Sequence, residues 1–234
     1  MRSTDRRNLT VTAVAAGLLI SVLAAGSAAG KKKAEEVTKV THDGLHLVPG
    51  TEVAAAWVKP DADFSSYKRI MLVDAYVAFR KNWEMEQRRS SVHRVTTRDI
   101  ERMKTEMAEL FREVFVEELS GEDGYPVVDT AETDVLLLRP AIIDLDVTAP
   151  DVRSTARSYN FAASAGAATL FLELYDAVSG EILARVIDRQ VAGETAFVQW
   201  TNKMTNRAAA RDVLAEWAGL LRKRLDEFHA ERGE

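Results

Sequence analysis

The chain has 234 residues, of which 47% are hydrophobic and 29% are charged, and its formal charge is −5. This composition is typical of a folded protein with one hydrophobic core, and it excludes a disordered chain and a multispanning membrane protein. The negative charge and the lack of a dense basic face disfavour binding to nucleic acid. The absence of cysteine excludes disulfides, thiolate metal sites and thiol catalysis.

Residues 1–29 have the three-part layout of a secretory signal peptide. A positive segment with Arg6 and Arg7 is followed by a mostly apolar segment, 9–25, and then by small residues. We expect general secretion and cleavage after Ala29, which leaves a periplasmic chain with a formal charge near −7 because residues 1–29 carry three arginines and one aspartate. A twin-arginine signal and an uncleaved membrane anchor are the alternatives.

The remaining chain is predicted to be a flexible leader, residues 30–44, followed by a single domain, residues 45–230. The domain begins with an extended region, 45–58, which Pro49-Gly50 interrupts. A strand over 69–79 follows, with Asp74 as an interruption, and then a polar connection over 80–95.

Two amphipathic helices are predicted. Thr96 and Thr97 are candidate caps of the first, which ends near Leu119 before Ser120-Gly121. Its apolar residues recur at steps of three and four, at Ile100, Met103, Met107, Leu110 and Val114. The second helix covers residues 206–228 and carries a longer apolar stripe.

The remaining segments between the helices are predicted strands. Residues 125–128 form a short strand and residues 134–147 a long one, in which Pro140 indicates an edge position or a bulge. Alternating segments 166–176 and 181–192 are joined by a short turn, which predicts a hairpin. The fold class is therefore α+β, with a single mainly antiparallel sheet packed by two amphipathic helices.

Several short motifs resemble the bacterial family known as domain of unknown function 3313. They are Tyr67-Lys68-Arg69, Asn82-Trp83, Leu136 to Asp146, the hairpin from Tyr175-Asp176 to Gly180-Glu181, Asp188-Arg189, Trp200 and the closing helix. The resemblance implies a cell-envelope protein, since members are typically described as lipoproteins of Gram-negative bacteria, and it implies no mechanism. Gly26 stands where the lipid-accepting cysteine is expected, so a soluble periplasmic protein is favoured over a lipidated one.

Candidate metal or catalytic residues are few. Asp144 and Asp146 are about 7 Å apart along one predicted strand face, a spacing suited to paired-carboxylate hydrolysis or to a divalent cation. A solvated strand face is the favoured interpretation. His42 and His46 lack the helical register of a metal-binding pair, and His93 and His229 are isolated in the sequence. No catalytic residue, metal ligand or cofactor is assigned.

Charged residues in the predicted sheet are candidates for ligand binding or for ion pairing. Arg139, Asp188 and Arg189 are expected either to form a structural network or to bind an anionic ligand, with structural pairing favoured. The long connection 153–165, which contains Arg157, is either a binding loop or inert.

These observations predict a noncatalytic exported module that binds an envelope protein or a cell-wall component through the sheet or through the loop at 153–165. Membrane association is expected only through an uncleaved signal, and the sequence leaves the oligomeric state open. One alternative is a periplasmic hydrolase that uses Asp144 and Asp146 together with Arg139 or His93. Another is a small-ligand carrier with an apolar cavity between sheet and helix.

Overall fold

The computed structural model describes residues 38–89, 95–147, 160–162, 166–192, 199–201 and 203–231. The nine strands are β1 (His46–Leu47), β2 (Ala55–Val58), β3 (Arg69–Leu72), β4 (Tyr76–Phe79), β5 (Val135–Asp146), β6 (Asn160–Ala162), β7 (Gly166–Asp176), β8 (Ile182–Ala192) and β9 (Gln199–Thr201). The helices are α1 (Trp83–Arg89), α2 (Thr97–Leu119) and α3 (Lys203–Glu231), with a short 3-10 helix at Phe64–Ser66.

Seven strands form one mixed sheet with the order β1-β2-β8-β7-β5-β3. Strand β4 pairs with β5 on the same side as β3, and both of these pairings are parallel. The other pairings in this sheet are antiparallel, so the predicted α+β class with a mainly antiparallel sheet is confirmed. Strands β6 and β9 form a separate two-stranded sheet.

Helices α2 and α3 pack on one face of the large sheet, which we call the core face. Buried residues of β5 and β7 alternate along each strand, as at Leu136 and Leu138 in β5 and at Leu170 and Leu172 in β7. They form one cluster with buried helix residues such as Phe111, Phe115, Leu214, Trp217 and Leu225. Because side chains alternate between the two faces of a strand, this cluster determines which residues lie on the other face.

Helix α2 begins where its sequence predicts. Thr96 is the N-cap, and its hydroxyl oxygen accepts a hydrogen bond from the Asp99 backbone N–H at 3.2 Å. The Asp99 carboxylate accepts in turn from the Thr96 N–H at 3.0 Å. This reciprocal pair satisfies two backbone donors that the first turn of a helix leaves without partners.

Pro140 lies in an interior strand, not in the edge strand that proline was expected to indicate. The N–H of Ala177 donates to the Val135 carbonyl and that of Val73 to the Leu138 carbonyl, so alternate residues of β5 direct their backbone groups to opposite sides. This alternation directs the nitrogen of Pro140 toward the gap between β3 and β4. The missing N–H therefore costs no ladder hydrogen bond.

The predicted strand 69–79 is divided into β3 and β4 by residues 73–75. The exposed Asp74 lies in this gap, and Arg112 of α2 donates from Nη1 to the Leu72 carbonyl at 2.7 Å, beside the interruption. The predicted strand at 125–128 is absent as a regular strand, because only a single bridge joins Val127 to Ile70.

The polar connection predicted over 80–95 contains a helix, α1. Trp83 at its start is fully buried and stacks on Phe79, with ring centroids 4.1 Å apart. Its indole N–H donates to the Val147 carbonyl at 3.1 Å. Trp83 also packs with Val95 and Ile100 in a cluster separate from the main core, so one aromatic side chain holds this helix in place.

The hairpin β7–β8 and the closing helix confirm two further predictions. Gly180, at φ +69°, occupies the left-handed position in the turn between the strands. Helix α3 begins at Lys203, slightly earlier than predicted, and ends at Glu231. Within the part of the chain that the structure describes, the helices are either too short or too polar to span a membrane.

Candidate binding surface

The face of the sheet opposite α2 and α3, here called the open face, carries rows of side chains that the strand register aligns. One row across β5, β7 and β8 is charged and consists of Arg139, Glu173 and Arg185. The next row is apolar and consists of Ala141, Phe171 and Ile187. A third row consists of Ile143, Thr169 and Arg189. The open face therefore alternates between charged and apolar character.

The N-terminal part of the described chain covers one side of this face. Leu45 is fully buried against Trp57 and Ala55, and Ile187 packs on the same cluster. The indole N–H of Trp57 donates to the Thr38 carbonyl at 2.7 Å. Residues 38–48 thus cover the side formed by β2 and β8.

The side of the open face formed by β3, β5 and β7 carries a second group of apolar residues, here called the open strip. Its members are Met71, Leu137, Ala141, Ile143 and Phe171. Each of them is half-buried, and none belongs to the hydrophobic clusters formed by the described residues. Arg139 lies between Leu137 and Ala141, so the open strip has apolar side chains on both sides of one guanidinium. Apolar side chains outside a core are characteristic of surfaces that bind a partner.

Glu173 lies at the centre of the charged row. Its carboxylate accepts hydrogen bonds from Arg185, at 2.8 Å from Nη2, and from the Tyr175 hydroxyl at 2.9 Å. Arg185 also binds Asp43, with Nη2 and Oδ2 2.6 Å apart, and lies 5.7 Å from the Phe171 ring centroid. This row therefore anchors the N-terminal segment to the sheet through buried, hydrogen-bonded charges.

The charged contacts shift the pKa values of two neighbouring groups. The hydrogen bond from Arg185 is the main cause that lowers the pKa of Asp43 to about 2, and Thr41 contributes a second hydrogen bond. Burial, followed by the hydrogen bond to Glu173, raises the pKa of the Tyr175 phenol. Asp43 is consequently ionised at neutral pH and Tyr175 is protonated.

Arg139, Asp188 and Arg189 do not form the network that the sequence suggested. Arg139 lies in the charged row, where its Nη1 is 3.7 Å from the Glu173 carboxylate and its side chain is 68% exposed. Arg189 also lies on the open face, with Nη1 3.4 Å from the Thr169 hydroxyl. Asp188 lies on the core face, since neighbouring residues of a strand point to opposite sides.

Asp188 is a buried carboxylate held by neutral donors, and it is 6% exposed. It accepts hydrogen bonds from the Trp217 indole at 2.8 Å, from the Ala54 backbone N–H at 2.9 Å and from the Gln190 amide at 3.0 Å. These donors come from α3, from the segment before β2 and from β8. Asp188 therefore joins three parts of the chain and is structural rather than exposed to a ligand.

Asp144 lies within an irregularity in β5, and Asp146 lies where regular pairing resumes. The register shifts between Ile143 and Asp146, and Asp144 has a left-handed φ of +51°, which aspartate tolerates better than most residues. Asp146 accepts a hydrogen bond from Arg80 at 2.8 Å, whereas no described residue pairs with the exposed Asp144 carboxylate. The regular two-residue spacing assumed for a carboxylate pair is thus interrupted.

The candidate histidines that the structure describes lie in different parts of the fold. His229 lies with Nε2 2.9 Å from the Tyr67 carbonyl, while His42 and His46 lie in a turn and in β1. Among the described residues there is no group of three or more metal-binding side chains. Arg157 and His93 lie outside the described residues, as does most of the loop at 153–165.

The residues of this surface that the sequence does not predict are Asp43, Phe171, Glu173 and Arg185. Phe171, Glu173 and Arg185 lie close together because of the register of the β7–β8 hairpin, in which Glu173 is opposite Arg185 and Phe171 is opposite Ile187. Counting outward from the turn gives this pairing only approximately, because the register shifts between Leu174 and Tyr175. Asp43 is 142 residues from Arg185, and no local pattern predicts such a contact.

Comparison with known proteins identifies a family. The profile of the family described as "Protein of unknown function (DUF3313)" matches residues 43–221, which confirms the resemblance predicted from the motifs. No curated protein matches the sequence.

Two solved structures show limited similarity to the fold. A PelC dodecamer from Paraburkholderia phytofirmans is 9% identical over 66% of this chain and 89% of that chain, with a TM-score of 0.35. A hemagglutinin homolog from Helicobacter pylori is 14% identical over 73% of this chain and 89% of that chain, with a TM-score of 0.37. These scores are too low to support a functional argument.

Replacement of Asp188 is expected to destabilise the fold because the N–H groups of Trp217, Ala54 and Gln190 lose a carboxylate acceptor. Asp188→Asn should lower the free energy of unfolding by about 2–4 kcal/mol in urea titrations followed by circular dichroism. Asp144→Asn is the matched control, and a change within about 0.5 kcal/mol is expected there because its carboxylate is exposed. A loss below about 1 kcal/mol for Asp188→Asn would contradict this role.

Asp43 is expected to make stability depend on acid pH. Its pKa is about 2 in the folded protein against 3.8 for the unperturbed group, so its contribution is present above about pH 4 and is lost as the pH falls toward 2. The side chain is 21% exposed, and solvent screening reduces the contribution to about 1 kcal/mol. Unfolding titrations from pH 7 to pH 2 should show wild type and Asp43→Asn converging at the acid end. The exposed Asp61→Asn is the control, and a pH-independent difference for Asp43→Asn would refute the assignment.

Proposed function

The chain belongs to the DUF3313 family, whose function is unknown, and from its own surfaces we propose that it is an exported, noncatalytic binding module of the bacterial cell envelope. The open strip is the proposed contact surface, and the observation that carries the proposal is the position of its apolar residues outside the packed clusters. The partner is proposed to be another envelope protein.

The sequence of residues 1–29 supports export. The positive start, the apolar segment and the small residues before Lys31 are the features that a secretory signal requires. Ser27 and Ala29 supply the small side chains that a signal peptidase accepts next to its cleavage site. The proposed location is therefore the periplasm, with an uncleaved anchor as the alternative.

The arrangement of layers supports binding through the open strip. Helices α2 and α3 pack on the core face, and residues 38–48 cover the side of the open face formed by β2 and β8. A one-sided antiparallel sheet normally presents polar residues to water on its second face. Here Leu137, Ile143 and Phe171 occupy that face, and burying them against a partner removes apolar area from water.

Export predicts a defined N-terminus. The protein recovered from the periplasmic fraction should begin at Gly30, as measured by intact mass spectrometry, because cleavage follows Ala29. Ala29→Trp should block processing and leave the longer precursor in the membrane fraction, whereas Ala34→Trp, beyond the cleavage site, should be processed normally. Unprocessed wild-type protein in the cytosol would contradict export.

Binding through the open strip predicts site-specific contacts in living cells. A photoreactive benzoyl-phenylalanine at Phe171 or at Leu137 should crosslink to the same partner, since both positions lie on one surface. The same probe at Thr105, on the exposed side of α2, is the control and should not capture that partner. Mass spectrometry identifies the crosslinked peptide. Crosslinks at Thr105 alone, or none at the two strip positions, would refute the proposed surface.

A further inference from the structure

The charged row and the third row of the open face carry more positive than negative charge, although the whole chain has a formal charge of −5. In these two rows the cations are Arg139, Arg185 and Arg189, and the one carboxylate is Glu173; Asp146, in the row of Ala167 and Val191, is paired with Arg80. Asp43, in the segment that covers part of this face, adds a second carboxylate. Three guanidinium groups thus face two carboxylates beside an apolar strip.

The negative charges of this group are already engaged by one arginine. Arg185 binds both Asp43 and Glu173, and its side chain is 14% exposed. Arg139 approaches the Glu173 carboxylate only to 3.7 Å, which is longer than a hydrogen bond, and its other described partner is the Tyr175 hydroxyl. The Arg139 side chain is 68% exposed, so most of its guanidinium donors face solvent, next to Ala141 and Phe171 in the adjacent row.

A partner that covers the open strip also removes water from Arg139. A guanidinium that loses its hydration without a new acceptor weakens the complex, whereas a carboxylate that pairs with it in bidentate geometry offsets that cost. Lysine does not reproduce this geometry, because its ammonium is a single point of charge.

We propose that the partner contacts the open strip through an apolar segment of protein that carries an aspartate or glutamate, and that this carboxylate pairs with Arg139. This inference rests on the proposed binding function and adds the chemistry of the partner. Arg139 is a specificity determinant in this interaction, and the half-buried residues of the open strip supply the apolar contact.

The test uses the peptide that the probe at Phe171 captures. The segment is synthesised, and its affinity for the processed protein is measured by isothermal titration calorimetry. The segment is expected to contain an acidic residue, and Arg139→Glu should weaken binding at least about tenfold. Arg139→Lys should weaken binding less, because it keeps the charge and loses the bidentate geometry. Arg98→Glu, at an exposed position of α2, makes the same charge change away from the strip and should leave the affinity unchanged.

A charge exchange completes the test. Changing the acidic residue of the peptide to lysine should weaken binding to the wild-type protein. The lysine peptide should bind Arg139→Glu at least about tenfold more tightly than the original peptide binds that variant. A captured segment without an acidic residue, or an affinity unchanged by Arg139→Glu, overturns the carboxylate pairing and leaves the binding surface in place. Capture of a glycan or lipid overturns the protein segment as partner. The absence of any crosslink from the open strip overturns both proposals.

Discussion

The packing of α2 and α3 against one face of the sheet is the constraint on which the remaining features depend. Buried leucines of β5 and β7 meet Phe111, Phe115 and Trp217 on that side. Since side chains alternate along a strand, fixing one face also fixes the residues of the other. A slip of one residue would bury Arg139 and Glu173 in the main core and expose the leucines. The open face is thus specified by the same register that forms the core.

The irregular parts of the sheet occur where strand β5 changes its pairing partner from β3 to β4. Strand β5 pairs first with β3 and then with β4, and the gap between these two strands contains Asp74 and the backbone nitrogen of Pro140. Beyond the gap, the shift near Asp144 moves Leu145, which is 5% exposed, into the main core. The irregularity keeps an apolar residue buried as the strand leaves the sheet, which is a common use of bulges.

Local patterns in the sequence predict the parts of this fold that depend on neighbouring residues. The cap at Thr96 and the three-to-four spacing after it indicate α2, and two alternating segments around a glycine turn indicate the β7–β8 hairpin. Helix α1 was missed because its charged residues mask a short helix held by the buried Trp83. The group around Arg185 was missed because strand register and a contact from a distant segment create it. The sequence indicates Asp188 as a candidate charged residue. That its side chain lies on the core face becomes clear only when the hairpin is paired and α3 packs against it.

The bond from Ala54 to Asp188, together with the pairing of β2 with β8, makes the early strands depend on the end of the chain. As the polypeptide emerges from a ribosome, β2 has no neighbour for the edge that pairs with β8 until the hairpin has followed it. Contacts between residues this distant in sequence form slowly, because long loops must close first. The place of β2 in the sheet is therefore fixed only after β8 has been synthesised, so the order of synthesis differs from the order of the strands in the sheet.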